Sequence, residues 1–244
     1  MVIVFLSKSE MRFLVLLLGL ACLAALVTLQ WQNFQTQGNL NRLTVVIDPG
    51  HGGVDGGAHD QHGNLEKDIN LRIGLQIAKQ LRESGLRVVM TRQTDIDLAP
   101  FRSGQRGRHL RDLLRRVEIA LKAKSLFFVS IHCDYSRDTR KRGASVFFNW
   151  RSPASKGLAE AIQTEINQLQ TGAQKIAPGK YRVIREGGVT GVLVEAGYLS
   201  NPKEALLLQN RSYQARLGLA IARGILKYTQ KYLPQIKHPA KTDC

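Results

Sequence analysis

The sequence predicts an α/β fold: a single domain with a twisted, mostly parallel mixed sheet of about six strands and helices on both faces. After residue 43, short apolar runs alternate with longer stretches of helical periodicity, as expected when helices connect parallel strands. The run "LFFVSI" at 126–131 is continuously apolar, as expected for a strand with both sheet faces covered. With 43% hydrophobic residues among 244, the chain can form one ordinary domain with an extension.

The strands are predicted from short runs rich in branched apolar and aromatic residues, at 44–48, 87–91, 126–131, 144–148, 181–184 and 191–194. Apolar residues three or four positions apart predict a helix over 65–84. Asn64 is placed to cap this helix and Gly85 to end it. Further helices are predicted for the basic stretch leading to Lys124, for 155–169, for a short segment opened by Asn201 and Pro202, and for 213–232.

An uncharged apolar segment, "FLVLLLGLACLAALVTL", covers residues 13–29 and follows Lys8 and Arg12. Its length is about the minimum for a membrane span, and the same pattern suits a signal peptide. Residues 1–30 are therefore expected to be a signal peptide or a signal-anchor transmembrane helix, followed by a polar linker at 31–42. Positive residues before the segment favour export of the rest, to the periplasm or cell envelope, with an inner-membrane anchor if the segment is retained.

Lysine and arginine outnumber acidic residues by 35 to 19, which gives a net charge of +16. This charge predicts an anionic partner. Nucleic acid is not the expected one, because no helix-turn-helix or aromatic single-strand platform is evident. An arginine-rich insertion at 102–116 is expected either to bind an anionic polymer or to form a solvated helix face. The cysteines Cys22, Cys133 and Cys244 make neither a disulfide framework nor a zinc ribbon.

Three predicted strands lead directly to a residue that can do chemistry. The first reaches His51 through "DPGHGG", the third ends at His132, and "GVLV" ends at Glu195. Ligands bind beyond the carboxyl ends of strands in open α/β sheets, so these side chains are expected to meet at one edge. Glu66 is expected there too, since it begins the helix that follows the first strand. The glycines around His51 are interpreted as leaving it open to a bulky substrate.

Two imidazoles and one carboxylate are a usual shell for a catalytic zinc, with one position left for water. Zinc lowers the pKa of that water, and a second carboxylate is needed to pass its proton to the leaving group. Glu66 and Glu195 can divide these two roles. Asp48 either orients His51 as a hydrogen-bond acceptor or caps the turn.

The segments "VVIDPGHGGVDGGA", "NLEKDINL", "FFVSIHCD" and "VLVEAGYLSNPKEA" resemble, in order, the four signature segments of the zinc-dependent N-acetylmuramoyl-L-alanine amidases, which are bacterial cell-wall hydrolases. The resemblance implies a zinc amidase catalytic domain at 43–232, followed by a basic tail at 233–244. It implies one Zn²⁺ ion bound by His51, Glu66 and His132, with Glu195 as the catalytic carboxylate. Arg116 aligns with an arginine usual in the family, for which a structural or substrate-binding role is expected.

The implied reaction is hydrolysis of the amide bond between the lactyl group of N-acetylmuramic acid and L-alanine of the stem peptide in peptidoglycan. The resemblance thus places the protein in peptidoglycan catabolism, including that of cell division, with an activator protein left open. The alternatives are another zinc peptidase acting on stem peptides and an inert wall-binding relative. Some division-associated members carry a long inserted helix over the zinc, but "GASVFFNW" passes to "RSPASKGLAEAI" here with little between.

Overall fold

The computed structural model describes residues 8–40, 43–99, 107–186 and 188–237. The chain divides into two compact units, Met1–Asn41 and Arg42–Cys244. In its described part, the first unit forms one helix, α1 (Lys8–Leu40), whose segment Leu14–Trp31 is long and apolar enough to cross a membrane. A signal sequence near the N-terminus meets the same criterion. The helix also covers most of the predicted linker.

The second unit contains six strands and six helices within the described residues. The strands are β1 (Thr44–Pro49), β2 (Arg87–Met90), β3 (Phe127–Asp134), β4 (Ser145–Phe148), β5 (Ala177–Pro178) and β6 (Thr190–Tyr198). The helices are α2 (Glu66–Glu83), α3 (Arg108–Lys122), α4 (Pro153–Asn167), α5 (Arg182–Arg185), α6 (Pro202–Gln209) and α7 (Arg211–Lys237).

The strands form one mixed sheet in the order β2-β1-β3-β6-β4-β5. β2, β1, β3 and β6 are parallel to one another, β4 is antiparallel to β6, and β5 is parallel to β4. The carboxyl ends of the four parallel strands therefore share one edge. The predicted fold class is confirmed, since the sheet is mostly parallel and helices cover both faces.

Helix ends largely follow the sequence signals. Asn201 caps α6 with its side-chain oxygen, and Gly85 ends α2 in a left-handed conformation with φ of 88°. Asn64 does not cap α2, because the N-cap residue is Leu65 and the Asn64 amide donates instead to Asp60. The loop before α2 is therefore stabilised by its own carboxylate rather than by a helix cap.

The two faces of the sheet carry different helices. Val46, Phe128 and Leu193 belong to a buried cluster that includes residues of α3 and α5. On the other face, where α2, α4 and α7 pack, Phe127 meets Tyr228 of α7 edge to face, with ring centroids 5.4 Å apart. Side chains alternate along a strand, so the α3/α5 face also carries four polar residues of the carboxyl edge: Asp48, Ser130, His132 and Glu195.

One predicted strand is wrong. The single turn α5 (Arg182–Arg185) occupies most of this segment, and the two-residue strand β5 completes the sheet instead. Val183 and Ile184 are consecutive and both buried in the same cluster, an arrangement that a helical turn allows but an alternating strand does not. β3 and β6 are also longer than predicted, so that His132 and Glu195 lie within the strands rather than just beyond them.

The connection from β4 to α4 is short. Only residues 149–152 separate the two elements, so no inserted helix lies between them, as the sequence predicts. Ser152 caps α4 by accepting a hydrogen bond from the Ser155 N–H at 3.1 Å. The buried Ser155 hydroxyl donates in turn to the Gly191 carbonyl oxygen, which ties the start of α4 to β6.

Candidate active site

A tight turn after β1 carries His51 to the carboxyl edge of the sheet. His51 has a φ of 59°, a left-handed conformation that costs energy for a residue other than glycine. The Gly50 N–H donates to the Ile131 carbonyl oxygen at 2.9 Å. On the other side, Arg116 Nη2 donates to the His51 carbonyl oxygen at 2.8 Å. Contacts with β3 and α3 therefore fix the backbone from which the imidazole extends.

Glycines in and after this turn make room for other side chains of the site. A Cβ at Gly50 would overlap the imidazole of His132. A Cβ at Gly57 would lie 2.5 Å from Glu66 Oε2 and 2.7 Å from His51 Cδ2, closer than van der Waals contact permits. These glycines therefore do more than leave His51 open to a substrate: they allow three chemically active side chains to approach one another.

Glu66, the first residue of α2, lies at the buried centre of this group, with 3% of its surface exposed. Its carboxylate accepts hydrogen bonds from the Cys133 N–H at 3.1 Å, the Asn70 amide at 3.0 Å and the Ala58 N–H at 2.9 Å. Burial alone raises the pKa of Glu66, but hydrogen bonds and charges from two imidazoles outweigh burial and hold it well below its ordinary value. Glu66 is therefore a fixed carboxylate suited to a cation.

The two imidazoles flank Glu66. His51 Nε2 lies 3.1 Å from Glu66 Oε2, and His132 Nδ1 lies 2.9 Å from Glu66 Oε1. One ligand atom from each of the three residues lies within 4.8 Å of the others. Both imidazoles are about one-fifth exposed, at 20% and 22%, so the group is accessible from one side. Two nitrogens and a carboxylate oxygen this close together fit a zinc ion, whose ligand bonds are about 2.0–2.2 Å long.

Asp55 is a residue of the site that the sequence analysis missed. Its Oδ2 lies 2.9 Å from His51 Nδ1 and so leaves Nε2 of that ring facing Glu66. Burial lowers the pKa of His51, but the carboxylates of Asp55 and Glu66 outweigh burial and raise it to about 9. The sequence feature that could have indicated Asp55 is the glycine-rich turn. This turn closes through paired backbone hydrogen bonds between Gly52 and Asp55 at 3.0 and 3.1 Å.

Asp48, the other acceptor considered for His51, forms a buried ion pair with Arg116, whose Nη1 lies 2.5 Å from Oδ1. The hydroxyls of Thr91 and Ser130 donate to the same carboxylate at 2.6 and 2.7 Å. Arg116 is 3% exposed and also binds Asp112 at 2.8 Å. Of the two roles considered for Arg116, these contacts support the structural one, because its guanidinium holds the end of β1 against α3.

Glu195 lies on β6 directly opposite His132 in the parallel register with β3. It is 7% exposed, and its Oε2 is buried with no hydrogen-bond partner among the described residues. Burial, with the nearby carboxylates of Asp134 and Glu66, raises the pKa of Glu195 to about 8. A carboxyl group with such a pKa can accept and release a proton near neutral pH.

The arginine-rich insertion at 102–116 lies partly outside the described residues, which resume at 107. In the described part, Arg108 pairs with Asp97 at 2.6 Å and Arg115 with Glu118 at 2.6 Å. These arginines therefore pair with the protein's own acidic residues. Binding of an anionic polymer by this insertion stays a prediction.

An α/β domain with two imidazoles and a carboxylate grouped at the carboxyl edge, beside a second carboxyl of raised pKa, has the arrangement of a metal-dependent hydrolase. Residues 45–227 match the N-acetylmuramoyl-L-alanine amidase family Amidase_3. The chain belongs to this family, as the four sequence segments predict.

Individual relatives agree with this assignment. The germination-specific N-acetylmuramoyl-L-alanine amidase of Bacillus subtilis is 33% identical over 230 residues, covering 91% of this chain and 96% of that protein. AmiA of Escherichia coli is 28% identical, covering 82% of this chain and 81% of that protein. The CwlD amidase of Clostridioides difficile, solved in complex with the GerS lipoprotein, has a TM-score of 0.73 at 32% identity, covering 78% of this chain and 100% of that one. AmiC2 of Nostoc punctiforme has a TM-score of 0.66 at 36% identity, covering 77% and 97%.

Proposed function

We propose that this protein is a zinc-dependent N-acetylmuramoyl-L-alanine amidase that acts on peptidoglycan. The observation that carries the proposal is the grouping of His51, Glu66 and His132 within 4.8 Å, with Glu195 on the strand next to His132. Family membership indicates which class of bond is hydrolysed, and the three grouped side chains provide a binding site for the metal.

In this proposal one Zn²⁺ ion is held by His51, Glu66 and His132. When bound, zinc supplies Lewis acidity, which polarises a carbonyl and makes a neighbouring water acidic near neutral pH. The buried carboxylate of Glu195 takes a proton from the attacking water and delivers it to the leaving nitrogen. The amide C–N bond breaks, a C–O bond forms at the lactyl carbonyl, and L-alanine leaves with a free amino group.

The surrounding residues keep this geometry in place. Asp55 fixes the orientation of the His51 ring through Nδ1, and Arg116 fixes the His51 backbone through its carbonyl oxygen. The exposed fraction of the site lies on its imidazoles rather than on Glu66, which is only 4% exposed at its side chain. The substrate therefore approaches from the imidazole side, while the ligand carboxylate stays screened from bulk water.

Export and domain organisation are part of the same proposal. Residues 1–30 act as a cleaved signal peptide or a retained anchor, and residues 31–42 link this segment to the catalytic domain at 43–232. Residues 233–244 form a basic tail. The apolar helix segment Leu14–Trp31 supports this assignment, and the periplasm or cell envelope is where the substrate lies. A protein partner is also proposed, since the CwlD amidase was solved with the GerS lipoprotein.

Mass analysis of digested muropeptides tests the proposed reaction. The zinc-loaded protein is expected to release stem peptides that begin with L-alanine and to leave muramic acid with a free lactyl carboxylate. A chelator should abolish these products, and added zinc should restore them. A zinc peptidase acting within the stem would leave L-alanine on muramic acid, and an inert wall-binding protein would release nothing; either result would exclude the amidase.

A further inference from the structure

Three buried carboxylates lie at the carboxyl edge, and among the described residues Glu195 has the fewest hydrogen-bond partners. Asp48 accepts hydrogen bonds from two hydroxyls and an arginine. Both oxygens of Glu66 accept hydrogen bonds from backbone and side-chain donors. Glu195, in contrast, leaves Oε2 without a partner in the part of the chain that the structure describes. Its orientation therefore depends on few contacts, and each of them matters for proton transfer.

Tyr181 is placed to supply such a contact. It immediately precedes α5, and its ring packs edge to face against Phe147 of β4, with ring centroids 5.4 Å apart. Phe147 is the register partner of Leu193, which lies two residues before Glu195 on β6. Residues two apart on a strand share a face, so the Tyr181 ring lies over the face of the sheet that carries Glu195.

Gly179 makes this ring position possible. A Cβ at Gly179 would lie 2.8 Å from Cδ2 of Tyr181 and 3.1 Å from Cβ of Phe147. Any larger residue would therefore push the tyrosine ring away from the sheet. Tyr181 is thus closely packed on one side even though 37% of the residue is exposed.

The Tyr181 hydroxyl lies near the Glu195 carboxyl group, and each group affects the pKa of the other. Burial raises the pKa of Tyr181, and the nearby carboxylates of Glu195 and Asp134 raise it further. The phenol therefore keeps its proton at neutral pH and is available as a hydrogen-bond donor on the side of Glu195. No hydrogen bond of Tyr181 to His51, Glu66 or His132 is present among the described residues.

We propose that Tyr181 is a positioning residue for Glu195, whose hydroxyl holds the carboxylate in the orientation that proton transfer requires. This inference rests on the role proposed for Glu195 and adds a residue that acts through it. Tyr181 takes no part in metal binding, so its effect is confined to the rate of bond cleavage.

The variant Tyr181→Phe tests this role, because it keeps the ring and its contact with Phe147 and removes only the hydroxyl. In the zinc-loaded full chain acting on a purified muramyl peptide, kcat is expected to fall by about 10- to 100-fold. KM should stay within about twofold, since ground-state binding is unchanged. Zinc content and the thermal midpoint should match the wild type. Tyr135→Phe is the matched control, because Tyr135 is 58% exposed on the loop after β3, and it should change none of these values.

Repeating the Tyr181→Phe substitution in a Glu195→Asp variant shows whether Tyr181 acts through Glu195. In Glu195→Asp, the shortened carboxylate moves away from the hydroxyl, so Tyr181→Phe should have little further effect on kcat. The inference is overturned if Tyr181→Phe keeps its kcat, changes KM alone, or loses the same factor in both backgrounds. Full activity of Glu195→Gln would instead refute the role that the proposed function gives to Glu195, so the two failures are distinguishable.

Discussion

His132 and Glu195 are register partners on the adjacent parallel strands β3 and β6, and their side chains extend to the same face of the sheet. This pairing makes neighbours of two residues that are far apart in sequence. The proposed proton carrier is thereby placed beside a proposed zinc ligand by backbone pairing alone. The distance between them is set by the spacing of parallel strands rather than by a loop.

Replacing Glu195 with glutamine should separate catalysis from metal binding. Glu195→Gln keeps the shape of the side chain but cannot carry the proton, so kcat is expected to fall by about 10²- to 10⁴-fold. Zinc content should be unchanged, because Glu195 is not among the three grouped ligands. Glu186→Gln is the control, since Glu186 is an exposed acid paired with Arg182 at 3.2 Å. Near wild-type activity of Glu195→Gln, or loss of its zinc, would contradict the assigned role.

Adding one methyl group at Gly50 should disturb the metal site directly. Gly50→Ala would place a Cβ where the His132 imidazole lies, so most of the bound zinc is expected to be lost. Gly50 is not among the glycines with positive φ, so the backbone itself accepts alanine. Gly63→Ala is the control: Gly63 has a φ of 80° with no atom within 4 Å of the added Cβ, so the variant should lose about 1–2 kcal/mol of stability yet keep its zinc. Elemental analysis measures both variants, and full zinc occupancy in Gly50→Ala would refute this account of the turn.

Breaking the buried ion pair between Asp48 and Arg116 should destabilise the fold. Asp48→Asn removes one of the two carboxylates paired with the buried guanidinium and leaves only Asp112, so the free energy of unfolding is expected to fall by about 3 kcal/mol. Urea denaturation measures this change. The matched control is Glu118→Gln, which removes an exposed partner of Arg115 and should have little effect. Equal stability of the two variants would show that the ion pair does not hold β1 against α3.

The same ion pair predicts a dependence of stability on pH. Burial raises the pKa of Asp48, but Arg116, Thr91 and Ser130 outweigh burial and hold it below its ordinary value of 3.8. A carboxyl with a lower pKa in the folded state adds stability that is complete above the unfolded pKa and disappears as pH falls through the folded value. The difference in unfolding free energy between wild type and Asp48→Asn should therefore be constant between about pH 5 and 7 and shrink below about pH 4. If this difference in unfolding free energy instead grew as the pH fell, the result would contradict the prediction.

Much of the architecture follows from local sequence patterns. The apolar run that becomes β3 and the spacing that becomes α2 each predict their element, and strand ends predict where His51, His132 and Glu195 meet. The strand predicted at 181–184 fails because the four residues "YRVI" fit a short strand and a single helical turn equally well. Tertiary burial of both Val183 and Ile184 decides between them.

The contacts around the ligands are harder to predict. Asp55 becomes the partner of His51 only because the glycine-rich turn closes on itself. Gly50 matters because the side chain of a distant strand lies against it. Tyr181 is placed near Glu195 because its ring packs against Phe147 of a third strand, β4. The last two relationships depend on chain segments that meet only after folding, so the local sequence pattern does not predict them.

The central claim is that His51, Glu66 and His132 jointly bind one zinc ion. It is tested most directly by a crystal structure of the zinc-loaded protein, with anomalous diffraction recorded at the zinc absorption edge. The expected result is a single strong peak about 2.0–2.2 Å from His51 Nε2, His132 Nδ1 and a Glu66 carboxylate oxygen, with Glu195 outside bonding distance. A peak bound by other residues, or coordinated by Glu195 in place of Glu66, would contradict the proposed centre.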